Sequence, residues 1–242
     1  MFALKTVSRQ LLAAVALGLC SWAALADDAA IRKNLAERLP NLPAIDEISK
    51  TPMAGLFEVR VNGTDLFYTD AEGNFLIQGS VFDTKARSNL TEIRTTKLSA
   101  IDFDKLPLKD AFTIVRGNGK RKIAVFEDPN CGYCKRFERD MQKVDNATFY
   151  MFLYPILGAD STTKSNSLWC AKDKAKAWQD YMVRDVAVAA APACDTSALT
   201  RNVEFGKKNK ITGTPTMFFA DGTRVPGAID AAQVEKLLAS VK

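Results

Sequence analysis

Two cysteines separated by two residues, in Cys131-Gly132-Tyr133-Cys134, stand where a strand-like run gives way to a helical pattern, and no other stretch restricts the fold as much. Residues 122–127, with Ile123, Val125 and Phe126, form the run, and Gly117-Asn118-Gly119 bounds it on the left. It passes straight into Pro129-Asn130-Cys131, after which a helix is expected to about Val144, with Asn130 as its N-cap. Strand, tight loop and helix together place the first sulfur at a helix N-terminus. The unpaired amides of that first turn favour a thiolate, so Cys131 is the expected nucleophile. Cys134, one turn inward, is the expected resolving thiol, able to attack a mixed disulfide and release whatever is bound to Cys131.

Composition removes most rival chemistries. The chain has no histidine, which excludes Ser-His and Cys-His catalysis and imidazole metal ligands. A Cys-x-x-Cys pair can be half of a zinc site, but Cys170 and Cys194 do not form a second close pair, so neither a metal nor a cofactor is expected. A merely structural bridge is disfavoured by the strand-loop-helix setting, which is what a redox motif requires.

Residues 1–26 read as an export signal: Lys5 and Arg9 make a basic start, Leu11 to Leu19 an apolar core, and Ala24-Leu25-Ala26 a small-residue cleavage site that leaves Asp27 first. The apolar core is shorter than the ~20 residues that span a bilayer. Leu19 before Cys20 does not suit a lipoprotein signal. Loss of Lys5 and Arg9 lowers the formal charge from +5 to +3, too mild to imply nucleic acid as a partner. Four cysteines then remain, an even number that invites pairing in an exported chain. Spacing suits a redox role for Cys131 and Cys134 and a staple for Cys170 and Cys194, while all three connectivities stay open.

The mature chain divides by pattern. Apolar residues Ile31, Leu35 and Leu39 recur at helical spacing up to Pro40. Residues 55–61 and 65–68 read as strands joined by a turn at Asn62-Gly63, and 75–79 as a further strand, making a small antiparallel meander. So small a sheet buries a limited core and leaves edges that association would cover. From Ser88 to Ile101 a polar stretch with Leu90, Ile93 and Leu98 suits a helical linker.

Beyond the helix after Cys131, residues 148–154 give an aromatic strand, and 160–208 look largely helical, with Trp169, Trp178, Tyr181 and Val183 as core contacts. Residues 211–220 return to strand around Pro215, Asp221-Gly222 supplies a turn, and Asp230 with Gln233 forms a capping box for a last helix.

The segment Phe126-Glu127-Asp128-Pro129-Asn130-Cys131-Gly132-Tyr133-Cys134, with Gly213-Thr214-Pro215-Thr216 later in the chain, resembles the DsbC-type protein-disulfide isomerases of the Gram-negative periplasm, relatives of DsbG. The likeness extends over nearly the whole mature chain. It implies an α+β fold: a cystatin-like antiparallel-sheet dimerisation domain at 27–88, a linker helix at 89–104, and a thioredoxin-like domain with a helical insertion at 105–242. It also implies a cis Thr214-Pro215 bond beside the active cysteines, with Gly132, Tyr133, Thr214 and Pro215 binding substrate, and a structural disulfide between Cys170 and Cys194 in the insertion.

The implied activity is reshuffling of wrong disulfides in exported proteins by a periplasmic homodimer, with chaperone activity beside it and a membrane thiol reductase of the DsbD type keeping the cysteines reduced. A DsbG-like reductase of sulfenylated cysteines, and a chaperone or binding module with incidental cysteines, are the alternatives. One departure stands out: thioredoxin has a buried acid six residues before its first active cysteine, where this chain has Val125. Proton transfer must then be arranged otherwise: assistance by Glu127 or Asp128 through water is one reading, but loop-end carboxylates facing solvent are the expectation, and neither enters the catalytic set.

Overall fold

The computed structural model describes residues 27–241, so the expected export signal lies outside the described residues. The chain separates into two compact units that meet between Leu98 and Ser99.

In the N-terminal unit a helix running through residue 38 (α1) lays Ile31 and Leu35, one turn apart, onto the sheet residues Phe57, Val59 and Val61. The sheet is an antiparallel meander of β1 (Ile45–Lys50), β2 (Phe57–Val61), β3 (Asp65–Thr69) and β4 (Leu76–Ile77). Asn62 and Gly63, at φ 50° and 81°, turn the chain between β2 and β3, a backbone that Asn and Gly adopt more readily than other residues. Strand β1 is an addition to the expected meander, and the strand read at 75–79 shortens to two residues. A two-residue hairpin, β5 (Phe82–Asp83) with β6 (Ser88–Asn89), precedes α2 (Leu90–Leu98). Arg94 of α2 donates to Glu58 at 3.0 Å and Glu47 at 2.8 Å, tying this helix to the sheet of its own unit.

The C-terminal unit is a five-stranded sheet in the order β11-β10-β8-β9-β7. Its strands are β7 (Phe112–Arg116), β8 (Arg121–Glu127), β9 (Ala147–Leu153), β10 (Thr216–Phe219) and β11 (Arg224–Pro226). Only the central β8–β9 pair is parallel. The helices are α3 (Gly132–Asp140), α4 (Ala159–Cys170), α5 (Lys174–Met182), α6 (Ser197–Lys208) and α7 (Ala231–Ser240).

Period-two alternation along β8 splits the core. Ile123 and Val125 face Phe137, Trp178, Val234 and Leu238 on one side. Ala124 and Phe126 face Phe103, Phe152, Tyr154 and Phe218 on the other. Phe126 stacks on Phe152 with centroids 4.4 Å apart. Burying a side chain such as Phe126 or Trp178 contributes roughly 1.5–3 kcal/mol.

Three differences from expectation have local causes. Strand β10 begins at Thr216 rather than 211, because Pro215 has no N–H to give a ladder. The region 160–208 is three helices, with a non-helical stretch over residues 183–196 that contains Cys194. Asp230 caps α7 by accepting the Gln233 N–H at 2.8 Å, but the Gln233 side chain donates to the Asp230 carboxylate instead of accepting from its backbone.

Candidate active site

The end of β8 delivers the chain to the start of α3, and the residue that caps α3 is Cys131. Its Sγ accepts the Cys134 N–H at 3.2 Å from an extended backbone, φ −78° and ψ 113°. Asn130, the expected N-cap, has other partners: its amide donates to Asp160 at 2.7 Å and its carbonyl oxygen accepts from Lys164 at 2.8 Å. The helix therefore starts one residue later than read, and the sulfur occupies the position where an anion is best stabilised. The helix also ends at Asp140, and a 3-10 turn, Met141–Lys143, completes the stretch read as helix to Val144.

Both sulfurs are shielded, with Cys131 5% and Cys134 0% exposed, while Gly132 and Tyr133 between them face solvent, Tyr133 at 64%. The Thr214-Pro215 bond is cis, and the Thr214 carbonyl lies 3.3 Å from Cys131 Sγ. Thus Cys131, Gly132, Tyr133, Cys134, Thr214 and Pro215 gather where β8 ends beside the start of β10. Cys170 and Cys194 stand apart from them, joined in a disulfide with Cα atoms 5.6 Å apart that ties the end of α4 to the stretch before α6.

Electrostatics separates the two thiols. Cys131 is brought down to about 6 by its hydrogen bond with Cys134, helped by the Thr214 hydroxyl and the amides of Cys134 and Tyr133, which together outweigh burial. The Thr214 carbonyl serves only the protonated thiol, so its pull is the weaker one. Cys134 is pushed far up, first by burial, then by its hydrogen bond with Cys131 and the charges of Glu127 and Cys131. One sulfur is a thiolate at neutral pH and the other is not, the division of labour needed for attack and then resolution.

The reading of Glu127 and Asp128 as solvent-facing is overturned: both are fully buried. Asp128 accepts four hydrogen bonds, from the Asn130 N–H (2.8 Å), Ser161 Oγ (2.7 Å), and the Ile156 (2.8 Å) and Leu157 (2.9 Å) N–H groups. It pins the active loop to the β9–α4 connection. Glu127, the last residue of β8, continues the Ile123–Val125 face into the core beneath α3, where neither carboxylate oxygen has a partner. Among the described residues no cluster of His, Cys, Asp and Glu is arranged to hold a metal.

Comparison with known proteins agrees with this geometry. Residues 22–92 match the disulfide bond isomerase protein N-terminal domain, and residues 108–242 match the thioredoxin-like domain. A probable thiol:disulfide interchange protein DsbC of Bordetella parapertussis is 43% identical over 86% of this chain and 73% of its own length. The chain belongs to the DsbC family of thiol:disulfide interchange proteins. The Escherichia coli K12 member of the DsbC family is 31% identical over 89% of each chain. A crystal structure of a disulfide interchange protein from Neisseria gonorrhoeae superposes with a TM-score of 0.53 and 37% identity, covering 55% of this chain and 96% of that one. As a DsbC-family protein the chain is a thiol-disulfide oxidoreductase with an α+β fold that includes a thioredoxin-like domain. Among the described residues no helix is long and apolar enough to cross a membrane.

Proposed function

We propose that the chain is a periplasmic protein-disulfide isomerase and reductase that reshuffles incorrect disulfides in exported proteins. The observation that carries this reading is the acidity gap across Cys131-Gly132-Tyr133-Cys134: a nucleophile ready at neutral pH beside a thiol slow to resolve. Cys131 attacks a disulfide of the client, the departing client sulfur is freed to attack elsewhere in its own chain, and Cys134 releases clients that stall. Gly132, Tyr133, Thr214 and Pro215 receive the client backbone around the reacting sulfurs. The Cys170–Cys194 bridge holds the helical insertion and takes no part in exchange.

In this reading residues 1–26 direct export to the periplasm and are removed, 27–88 pair two copies into a homodimer, 89–104 link, and 105–242 carry catalysis. The separation of compact units between Leu98 and Ser99, inside the proposed linker, supports that division. Misfolded disulfide-containing proteins are the clients, a membrane thiol reductase of the DsbD type supplies electrons, and chaperone activity accompanies exchange.

The test is recovery of a scrambled multi-disulfide protein. The reduced protein restores its activity and Cys131→Ser does not. A protein that leaves the scrambled client inactive while reducing a sulfenylated one is a DsbG-like reductase. Protection of an unfolding client that survives replacement of both cysteines, with no exchange in the native protein, reduces the chain to a chaperone.

A further inference from the structure

Beneath the reactive sulfurs lies a polar cluster that takes no part in the exchange steps proposed for Cys131 and Cys134. Glu127 projects from the end of β8 into the core between this strand and α3. Glu138 lies one helical turn beyond Cys134 on the buried face of α3. Both carboxyls are buried, and Glu127 Oε1 and Oε2 and Glu138 Oε2 have no hydrogen-bond partner. Trp178 Nε1 from α5 and Arg116 NH1 from β7 are also buried without partners, and both residues act on Glu138. Asp145 is the other charge that acts on Arg116.

Two ionised carboxylates in such a place would each lose their hydration and would repel, with no donor between them. A single shared proton turns the repulsion into an O–H···O⁻ hydrogen bond. Burial, the Glu138 charge and Cys131 all hold Glu127 well above the usual carboxylate range. Burial also raises Glu138, but Trp178, Glu127 and Arg116 favour its charged form. The resting pair therefore shares one proton and keeps one negative charge, which Arg116 and Trp178 favour on Glu138.

We propose that Glu127 and Glu138 form a proton relay for Cys134, holding one proton between them at rest and taking up a second when Cys134 attacks the mixed disulfide. This rests on the assignment of Cys134 as the resolving thiol. In the step, the Cys134 S–H bond breaks and its proton passes to the glutamate pair at Glu127, leaving both carboxyls protonated. The Cys134 electron pair forms the Cys131–Cys134 bond. The bond between Cys131 and the client sulfur breaks, and the client leaves as a thiolate that takes its proton from water. Two electrons pass from the dithiol to the client, and the pair changes from one proton to two. The acid missing at Val125 is thus replaced two residues further along the same face of the same strand, with a second carboxyl from α3.

The full-length reduced protein is mixed with dithiodipyridine and the release of thiopyridone is monitored by stopped-flow absorbance. Cys131 releases the first equivalent and Cys134 the second. In Glu127→Gln the first phase is expected to stay within about twofold of the unaltered protein, while the second slows on the order of 10²-fold at pH 7. That second phase should then rise in proportion to hydroxide, where the unaltered protein shows a flat profile. Glu138→Gln should slow the same phase, and the double variant should be no slower than Glu127→Gln, because the two act as one unit.

A second phase in Glu127→Gln with the normal rate and pH profile overturns the relay, as does equal slowing of both phases. In the unaltered protein, conversion of the mixed disulfide to the Cys131–Cys134 disulfide should add one protonated carboxyl band to the time-resolved infrared spectrum. Its absence overturns the relay even if neither variant folds. Cys134→Ser separates the underlying assignment: if it releases the second equivalent normally, Cys134 is not the resolving thiol, whatever the glutamates do.

Discussion

Cys131 Sγ accepts the backbone N–H of Cys134 at 3.2 Å, so the proposed nucleophile caps the helix that carries its proposed resolving partner. The contact makes the reactivity of one cysteine a property of the turn that presents the other. It also defines a pH window, because the Cys131 thiol titrates near 6 in the folded chain instead of near 9.0.

Alkylation of Cys131 should therefore be nearly constant above pH 7 and fall below about pH 6, as read from the rate of iodoacetamide modification. For a depressed thiol the sign is that of an acid: the stability it contributes is present near pH 9 and is lost as pH falls through 6. Relative to Cys131→Ala, the reduced protein should gain stability between these values, measured by urea unfolding at several pH values. A gap independent of pH would contradict the lowered thiol.

Replacing Cys134 by Ser should leave a chain that still attacks disulfides but accumulates as a mixed disulfide with its client. Non-reducing electrophoresis after acid quenching reads this directly. Cys131→Ser should form no such adduct, and a reversed pattern would exchange the two roles.

Asp128→Ala should be the most damaging single change at the loop. It strands three N–H groups and the Ser161 hydroxyl that now share one buried carboxylate. Each unsatisfied buried group costs about 1–3 kcal/mol, so with partial rescue by water a loss of about 3–5 kcal/mol is expected in urea unfolding. Asp128→Asn keeps part of the acceptor set and should lose less.

Removing the Cys170–Cys194 bridge as a paired Cys→Ala change should lower stability by about 2–4 kcal/mol and leave the stopped-flow phases intact. Loss of exchange in a protein that remains folded would give the second disulfide a redox role.

The reactive junction was legible because each part of it is local. Ile123, Val125 and Phe126 keep a strand's alternation, and two cysteines at the start of a helix narrow the chemistry to thiol exchange. Strand β1 was not legible, since Asp46, Glu47 and Ser49 make it more polar than a buried strand. Strand β7 does alternate, Phe112 and Ile114 inward against Thr113 and Val115 outward, and that signal was available in the sequence.

The errors at the site share another cause. Asn130 has the composition of an N-cap, but Asp160 and Lys164, distant in sequence, occupy its side chain. Glu127 reads as a surface carboxylate until Glu138 is seen to meet it from α3. The one local hint was helical spacing, which sets Glu138 one turn below a buried Cys134.

On the proposed roles of Cys131 and Cys134, the disparity between the two sulfurs also acts as a clock. A polypeptide joined to Cys131 is held for as long as the buried thiol takes to shed its proton, and during that interval its own freed sulfur can search for a new partner. Lengthening the interval favours rearrangement within the captive chain, and shortening it favours simple release. Dwell time is thereby written into the interior of the protein, out of reach of the molecules it acts upon.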